Sequence, residues 1–395
     1  MKNKIIIGAF LLMLASFSVV LMLPADRASV ESENRAMTEM PALSRENVFS
    51  GEFASSFESF IGDHVGMRSY LTGLSRAITA RRGIVSEKGS VISTTKDIGT
   101  GTMVKLTLLL VKNTIMEMFR KNPETEKLYT AAVNHYAEKL PENVKLYNMV
   151  VPTQLEFWEP MYKNLQDSQS EAISDMYDMI NERVKTVNVC DTLKEHSDEY
   201  LYFRTDHHWT SLGAYYAYCE FMRTEGGSAV NKDDFEKNEI HNFLGFLYNR
   251  VDRPEIAETP DTIEWYEVDR DNDISVVMHN TDENGKLTNY KGVMYDRTKA
   301  EYLFFFGSDH PVVEMTNNAK KDGKTIAVVK DSYANIFAPW LIKSYHKVLL
   351  IDPRIYKGDF STILERFDVD EVLIMNYVFT TNFPDYCNML TSIYK

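Results

Sequence analysis

One short segment combines a carboxylate with two imidazoles, the residue types of general acid–base catalysis. Residues 203–210 read FRTDHHWT, and a helical pattern follows them, so Asp206, His207 and His208 lie in the loop that enters a helix. If that loop is extended, residues two apart point to the same side. The carboxylate of Asp206 can then hold the imidazole of His208 in one tautomer, as a general base requires. A purely structural Asp–His pair would show the same pattern.

A second segment places a serine at the junction of a predicted strand and a predicted helix. Residues 328–334 read VVKDSYA, and Ser332 stands at that junction. Ligands bind at the carboxyl ends of strands in parallel sheets, where helix N–H groups can stabilise an oxyanion. Asp206, His208 and Ser332 therefore supply the parts of a catalytic triad, which is defined by geometry rather than by chain order. The alternative is that Ser332 only caps the helix.

Two other chemistries are disfavoured by missing residues. An Asp-His-His run also occurs in metal-dependent phosphoesterases, but these need aspartates on an early strand, and residues 145–151 contain none. Asp368 and Asp370 come late and precede a strand. Residues 323–325 (GKT) lack the first glycine of a phosphate loop, and a strand follows them instead of a helix. We therefore expect neither a metal nor another cofactor.

Composition excludes further classes of function. The chain has 395 residues, with 43 Lys and Arg against 57 Asp and Glu, which gives a net charge of −14. Nucleic acid is therefore disfavoured as the main partner, because phosphate binding needs a basic surface. The cysteines, Cys190, Cys219 and Cys387, are too far apart for a zinc motif and allow at most one disulfide. The fold must therefore depend on its hydrophobic core.

The first 24 residues predict a membrane anchor. Lys2 and Lys4 precede an uncharged run at residues 5–23, which would span about 28 Å as a helix, close to one hydrocarbon core. The run is longer than the apolar region of a signal peptide and ends without a typical cleavage site. We favour an uncleaved single-pass anchor over a cleaved signal peptide. The lysines would stay in the cytoplasm, so that the bulk of the chain is extracytoplasmic.

The remaining pattern indicates an arm followed by an α/β domain. Residues 25–95 read as a polar tether and an amphipathic helical arm, in which phenylalanines recur at helical spacing. Apolar strands near 145–151, 324–330, 347–351 and 371–376 alternate with helices, which predicts a parallel sheet covered on both faces. Residues 103–121 have a helical pattern. Residues 255–305 read as antiparallel hairpins inserted into the α/β body.

Several motifs together resemble those of a known bacterial family, the DHHW proteins. This family is named for the motif at residues 206–209, and it is related to alginate O-acetylation proteins of the AlgX and AlgJ type. The similarity runs from residue 33 to about residue 380. Its further blocks are Glu33-Asn34-Arg35 with Pro41, Asp63 with Arg68, Val151-Pro152-Thr153, Asn242-Phe243-Leu244-Gly245, Asp331-Ser332-Tyr333-Ala334-Asn335 and Ile351-Asp352-Pro353-Arg354.

The resemblance implies a fold and an activity. Residues 96–395 would form a three-layer α/β/α domain like that of SGNH hydrolases, with the Asp-x-His block before the serine block. Asp206, His208 and Ser332 then match the triad positions. The implied reaction is transfer or removal of acyl groups, usually acetyl, on extracellular polysaccharide hydroxyls. Oxyanion donors would be the Ser332 N–H and the side chain of Asn376 or Asn335, although the alternative is that either asparagine only terminates a strand or a helix.

Further residues near the predicted site are candidates for substrate contacts, and the resemblance implies partners. Arg354 could bind a sugar acid or form a structural salt bridge. Trp209 could stack on a sugar or pack in the core, and His207 lies beside the same site. The glycan itself and a multi-span membrane acyltransferase that supplies acyl groups are the implied partners. The alternative function is a non-catalytic glycan-binding or assembly protein of the cell envelope that retains the fold.

Overall fold

The computed structural model describes residues 38, 40–45, 47, 52–67, 70, 89–97, 103–251, 253–281, 287–299 and 301–395. The chain divides into two compact units, one of residues before 87 with 248–259, and one of residues 87–247 with 260–395. The predicted anchor at residues 5–23 lies outside the described residues. Among the described ones, no helix has both the length and the apolar character that crossing a membrane requires.

Strands and helices are numbered along the described chain. The strands are β1 (Ser90–Asp97), β2 (Met103–Val111), β3 (Thr114–Glu117), β4 (Lys145–Val151), β5 (Val184–Thr186), β6 (Lys237–Phe243), β7 (Asp261–Tyr266), β8 (Ile274–Thr281), β9 (Leu287–Lys291), β10 (Val312–Asn317), β11 (Thr325–Lys330), β12 (Lys347–Ile351) and β13 (Glu371–Tyr377). The helices are α1 (Glu52–His64), α2 (Pro123–Lys139), α3 (Pro160–Lys163), α4 (Gln169–Asp178), α5 (Cys190–Glu195), α6 (Ser211–Glu225), α7 (Ala334–Leu341), α8 (Phe360–Phe367) and α9 (Pro384–Ser392).

The smaller unit contributes helix α1. Its phenylalanines Phe53, Phe57 and Phe60 follow one another along the helix, with successive ring centroids 5.6 Å and 6.3 Å apart. This agrees with the helical spacing read from the sequence.

An eight-stranded mixed sheet forms the centre of the larger unit, in the order β5-β4-β13-β11-β12-β10-β8-β9. The first five strands of that order are parallel, as the sequence predicts. The last three continue the sheet antiparallel, so the sheet is mixed, and the parallel sheet predicted from the sequence covers its first five strands. Every residue of β11 and β13 is buried, which explains why both strands read as continuous apolar runs.

Helices cover both faces of this sheet. Neighbouring residues of a strand point to opposite faces, and two neighbours in β4 meet different helices. Tyr147 packs edge-on against Phe221 of α6, whereas the amide of Asn148 donates to the hydroxyl of Tyr129 in α2. Helix α6 packs with α7, and α2 packs with α9. The core therefore has helices, sheet and helices in succession.

Residues 103–121 differ from the element predicted for them, whereas residues 255–305 contain antiparallel pairing of the predicted kind. Residues 103–121 form strands β2 and β3, which join β1 in a separate three-stranded sheet, and the helix predicted there is wrong. Strand β1 also crosses the predicted domain boundary between residues 95 and 96. Within 255–305, β8 and β9 form a hairpin that extends the main sheet, while β7 pairs with β6.

Candidate active site

Ser332 lies in the turn between β11 and α7, at the carboxyl end of a central parallel strand. The neighbouring carboxylate of Asp331 fixes this turn. One oxygen accepts the Tyr333 N–H at 3.0 Å, and the other accepts the Tyr377 N–H, at the end of β13, at 2.9 Å. Burial raises the pKa of Asp331. The nucleophile candidate is thus held between two strand ends, and its side chain is half-buried.

The DHHW segment is a tight hairpin and not the extended loop considered from the sequence. Tyr202 pairs with Trp209, and the Phe203 N–H donates to the His208 carbonyl at 3.2 Å. Asp206 still meets His208, because one carboxylate oxygen accepts both the His208 backbone N–H at 3.0 Å and its ring Nδ1 at 2.6 Å. The turn therefore orients the His208 ring toward Asp206, whereas the sequence analysis had assigned this to an extended loop.

The two segments converge although they are 124 residues apart. The Nε2 of His208 lies 2.8 Å from the Ser332 hydroxyl oxygen, and its Nδ1 lies 2.6 Å from Asp206. His208 is 2% exposed and Asp206 is 3% exposed. Both distances are within hydrogen-bond reach, so the hydroxyl, imidazole and carboxylate have the arrangement of a catalytic triad.

Residues 245 and 246 hold the Asp206 carboxylate from its other side. The Phe246 N–H donates to its second oxygen at 2.7 Å, and Gly245 packs directly on the aspartate. A Cβ atom at Gly245 would lie 2.2 Å from the Cβ of Asp206, so only glycine fits. Burial opposes ionisation of Asp206, but the two neighbouring histidines and these hydrogen bonds hold its pKa well below the usual range. The carboxylate is therefore charged and able to stabilise an imidazolium.

A second buried carboxylate, Asp261 at the start of β7, organises the residues just before the triad. It accepts the backbone N–H groups of Arg204, at 3.0 Å, and Thr205, at 2.8 Å, and the Thr205 hydroxyl at 2.5 Å. The Thr205 oxygen in turn accepts the Gly245 N–H at 3.0 Å. Sequence reasoning missed Asp261, because it lies 55 residues beyond Asp206 and belongs to no motif.

The aromatic candidates beside the triad have packing roles. Trp209 has no exposed surface, and its indole N–H donates to the Tyr333 carbonyl at 3.0 Å, so it cannot stack on a sugar here. The His207 ring lies 3.9 Å from the His208 ring, and its Nδ1 is 3.6 Å from an Asp206 oxygen. Tyr333 donates its hydroxyl to the His207 carbonyl. The DHHW hairpin is thereby tied to the serine turn at several points.

Both asparagine candidates for the oxyanion hole donate to other groups. The Asn376 side-chain amide donates to the Tyr386 hydroxyl at 2.6 Å and more weakly to Asp331 at 3.4 Å. The Asn335 amide donates to Asp309 at 3.0 Å. In this arrangement Asn376 belongs to a buried network below the serine, and it cannot serve an oxyanion without losing those bonds.

Arg354 belongs to a partly buried network of two cations and two carboxylates beside the serine turn. Its guanidinium donates to Asp352 at 2.8 Å and to Asp309 at 2.8 Å. The Lys330 ammonium reaches the same two carboxylates, at 3.3 Å and 2.8 Å. Burial opposes the charge of Arg354, but the two carboxylates raise its pKa. The salt-bridge alternative therefore describes Arg354 in this structure.

The side chains of Asp206, His207 and His208 could also hold a metal ion, because one ligand atom from each lies within 4.8 Å of the others. The donor set is that of a transition-metal site. However, both ring nitrogens of His208 already lie within hydrogen-bond distance of Asp206 and Ser332. Metal ligation by this ring would displace one of those bonds, so the geometry fits a triad better.

The fold and site together define a mixed α/β protein with a Ser–His–Asp arrangement at the carboxyl edge of its sheet. The model of the DHHW protein family matches residues 87–351. The chain belongs to the DHHW family, and that prediction is confirmed. A search of curated proteins by sequence finds no match.

The first two of the following solved structures share the fold at low sequence identity, and the third is a weaker match. A DHHW family protein from Eubacterium siraeum has a TM-score of 0.64 at 21% identity, covering 77% of this chain and 99% of that one. PatB1 from Bacillus cereus, solved with a sulfonyl adduct, has a TM-score of 0.59 at 19% identity, covering 73% and 100%. The O-acetyltransferase domain of Pseudomonas putida AlgJ has a TM-score of 0.41 at 12% identity, covering 77% and 99%.

Proposed function

We propose that this protein is an SGNH-hydrolase-like acyltransferase or esterase that acts on O-acetyl groups of a cell-envelope or extracellular polysaccharide. The observation that carries the proposal is the continuous hydrogen-bonded line from the Ser332 hydroxyl through His208 to Asp206, at 2.8 Å and 2.6 Å. Such a line activates a serine that would otherwise be a weak nucleophile. Membership of the DHHW family supports the same function.

Each residue of the line has a defined role in acyl transfer. The Ser332 oxygen attacks the acyl carbon while the proton of its hydroxyl moves to the His208 Nε2. The bond between the acyl carbon and the departing alcohol oxygen then breaks, and His208 returns the proton to that oxygen. Asp206 stabilises the transient imidazolium, as its buried and ionised carboxylate allows. An incoming sugar hydroxyl or water reverses these steps on the acyl-enzyme.

The Ser332 backbone N–H is the oxyanion donor that we assign. The asparagine amides considered from the sequence donate elsewhere, whereas this N–H belongs to the turn that presents the nucleophile. A donor on the nucleophile's own residue stays close to the developing oxyanion throughout the reaction.

The location and partners of the enzyme complete the proposal. An N-terminal anchor at residues 5–23 would place the catalytic unit outside the cytoplasmic membrane, next to envelope polysaccharide. Acyl groups must then cross the membrane through another protein, because one span forms no channel. A multi-span membrane acyltransferase is therefore the proposed donor partner.

The test is acyl transfer by the purified full chain, followed with a chromogenic acetyl ester and with a sulfonyl fluoride detected by intact mass. We expect turnover and one sulfonyl group per chain. Ser332→Ala should abolish labelling, and both Ser332→Ala and His208→Ala should lower turnover by about 10³-fold or more. Ser361→Ala, on helix α8, is the matched serine control and should behave as the wild type.

The same assay distinguishes the proposed enzyme from the alternative, a non-catalytic protein of the cell envelope. A non-catalytic envelope protein would bind glycan yet show neither ester turnover nor serine labelling in the wild type. Retention of full turnover in Ser332→Ala, with normal folding by circular dichroism, would also refute the proposal.

A further inference from the structure

The His208 imidazole lies between two other rings. The Tyr302 ring is nearly parallel to it, with an interplanar angle of 7° and centroids 3.6 Å apart. On the other face the His207 ring lies 3.9 Å away at 35°. Tyr302 comes from a short 3-10 turn, Tyr302–Phe304, in the part of the chain between β9 and β10. No sequence motif connects this turn with catalysis.

The Tyr302 hydroxyl reaches the nucleophile's own segment. It donates to the Ser332 carbonyl at 2.7 Å, in the turn that leads into α7. Burial raises the pKa of Tyr302 well above its usual value, so the phenol stays neutral and keeps its proton for this bond. One side chain therefore contacts the face of the imidazole and the backbone of the serine.

The geometry is unusual for simple packing. Uncharged aromatic rings prefer offset or edge-to-face contacts, because the negative faces of two stacked rings repel. A cation over a ring face is attracted instead, and the attraction grows when both groups are desolvated. His208 and Tyr302 are both almost fully buried, and His208 gains a positive charge whenever it takes the serine proton. The face-on stack is therefore best suited to the charged form of the imidazole.

We infer that Tyr302 is a positioning residue for the proposed acyl-transfer reaction, which stabilises the His208 imidazolium through its ring face and orients it toward Ser332. The inference rests on the proposed function. It predicts that the aromatic ring matters more than the hydroxyl, because the ring alone faces the charge. It also predicts an effect on the chemical steps and not on ester binding, since both acylation and deacylation pass through the imidazolium.

The charge distribution of the ring at residue 302 can be changed while the shape of the side chain is kept. Kinetics with the chromogenic acetyl ester would compare the wild type, Tyr302→Phe, Tyr302→Leu and replacement of Tyr302 by pentafluorophenylalanine. We expect Tyr302→Phe to retain kcat within about threefold, and Tyr302→Leu to lower it about tenfold or more, with KM changed less than about twofold. The fluorinated ring, whose face is no longer negative, should fall well below Tyr302→Phe even if Tyr302→Leu fails to fold.

Tyr295 offers a matched structural control. Its ring also stacks, on Phe304 at 5.3 Å and 14°, and its hydroxyl also donates to a backbone carbonyl, that of Tyr266, at 2.9 Å. Tyr295→Leu should lower the melting temperature but leave kcat unchanged. The inference is overturned if the fluorinated ring matches Tyr302→Phe, or if Tyr295→Leu reduces kcat as much as Tyr302→Leu. Those results leave the proposed function intact. A wild-type protein without ester turnover would overturn both the inference about Tyr302 and the proposed function.

Discussion

Gly245→Ala should disable the triad without altering any of its residues. The added Cβ would lie 2.2 Å from the Asp206 Cβ and 2.8 Å from its Cα. Ordinary carbon contacts are about 3.5 Å, so the two segments must separate by more than about 1 Å. Residue 245 cannot simply retreat, because its N–H donates to Thr205 at 3.0 Å. The displacement therefore falls largely on Asp206 and on the His208 ring that it orients.

The magnitude follows from this geometry. Overpacking of a buried contact costs about 1–3 kcal/mol of folding stability, which a domain of this size can tolerate. A misplacement of about 1 Å in a catalytic group costs about 10²-fold in rate. We therefore expect a folded protein whose kcat falls about 10²-fold, with KM little changed.

The assay is ester turnover alongside thermal unfolding. Gly227→Ala is the matched control, because a Cβ there approaches only the flexible ends of Met222 and Glu225, at 2.7 Å and 2.8 Å. That variant should keep wild-type kcat. Wild-type turnover in Gly245→Ala would show that the aspartate does not need the position seen in the structure, and would refute the reasoning.

Three further expectations follow from other buried groups. Asp261→Asn places an amide among backbone and hydroxyl donors. We therefore expect kcat to fall at least about tenfold and urea unfolding to show a loss of about 2 kcal/mol in folding stability. An unchanged kcat would contradict the role of Asp261 in organising the residues before the triad. Burial opposes ionisation of Glu314, but hydrogen bonds from His279 and Lys347 lower its pKa to about 2. Its stabilisation should therefore be complete above about pH 4.3 and lost as the pH falls toward 2. Urea unfolding should accordingly show a gap between wild type and Glu314→Gln of up to about 3 kcal/mol at pH 7 that closes in acid, and a gap independent of pH would refute it. Chelation with EDTA should leave ester turnover unchanged, because hydrogen bonds occupy both nitrogens of His208; a loss restored by added zinc would favour a metal at residues 206–208.

The sequence predicted best those features that depend on residues close together in the chain. Strand β4 was predicted at its observed bounds, because a strand buried on both faces is largely apolar, even though Asn148 interrupts the apolar run here. Ser332, His208 and Asp206 could be predicted as candidates because their residue types are those of a triad and because they lie in loops that lead into helices. The helix predicted at residues 103–121 failed, since a short apolar run such as LTLLLV fits a buried strand as well as a helix.

The supporting residues of the site could not be predicted in the same way. Asp261 and Tyr302 contact residues that are distant in the sequence, and each is an ordinary residue within its own segment. Gly245 belonged to a recognised block, but the reason for glycine there, the backbone of Asp206 against it, exists only once the chain has folded. Tertiary contact, which leaves no local pattern, decides all three positions.

The distance along the chain between nucleophile and base has a consequence for how reactivity arises. Under the proposed function, the Ser332 hydroxyl becomes reactive only when the His208 ring, 124 residues earlier, lies within hydrogen-bond distance of it, and Ser332 itself follows a strand of the central sheet. Nascent, truncated or misfolded copies should therefore not react with a sulfonyl fluoride at Ser332. Sulfonyl incorporation would then count correctly assembled molecules in a preparation, and would serve as a measure of refolding yield.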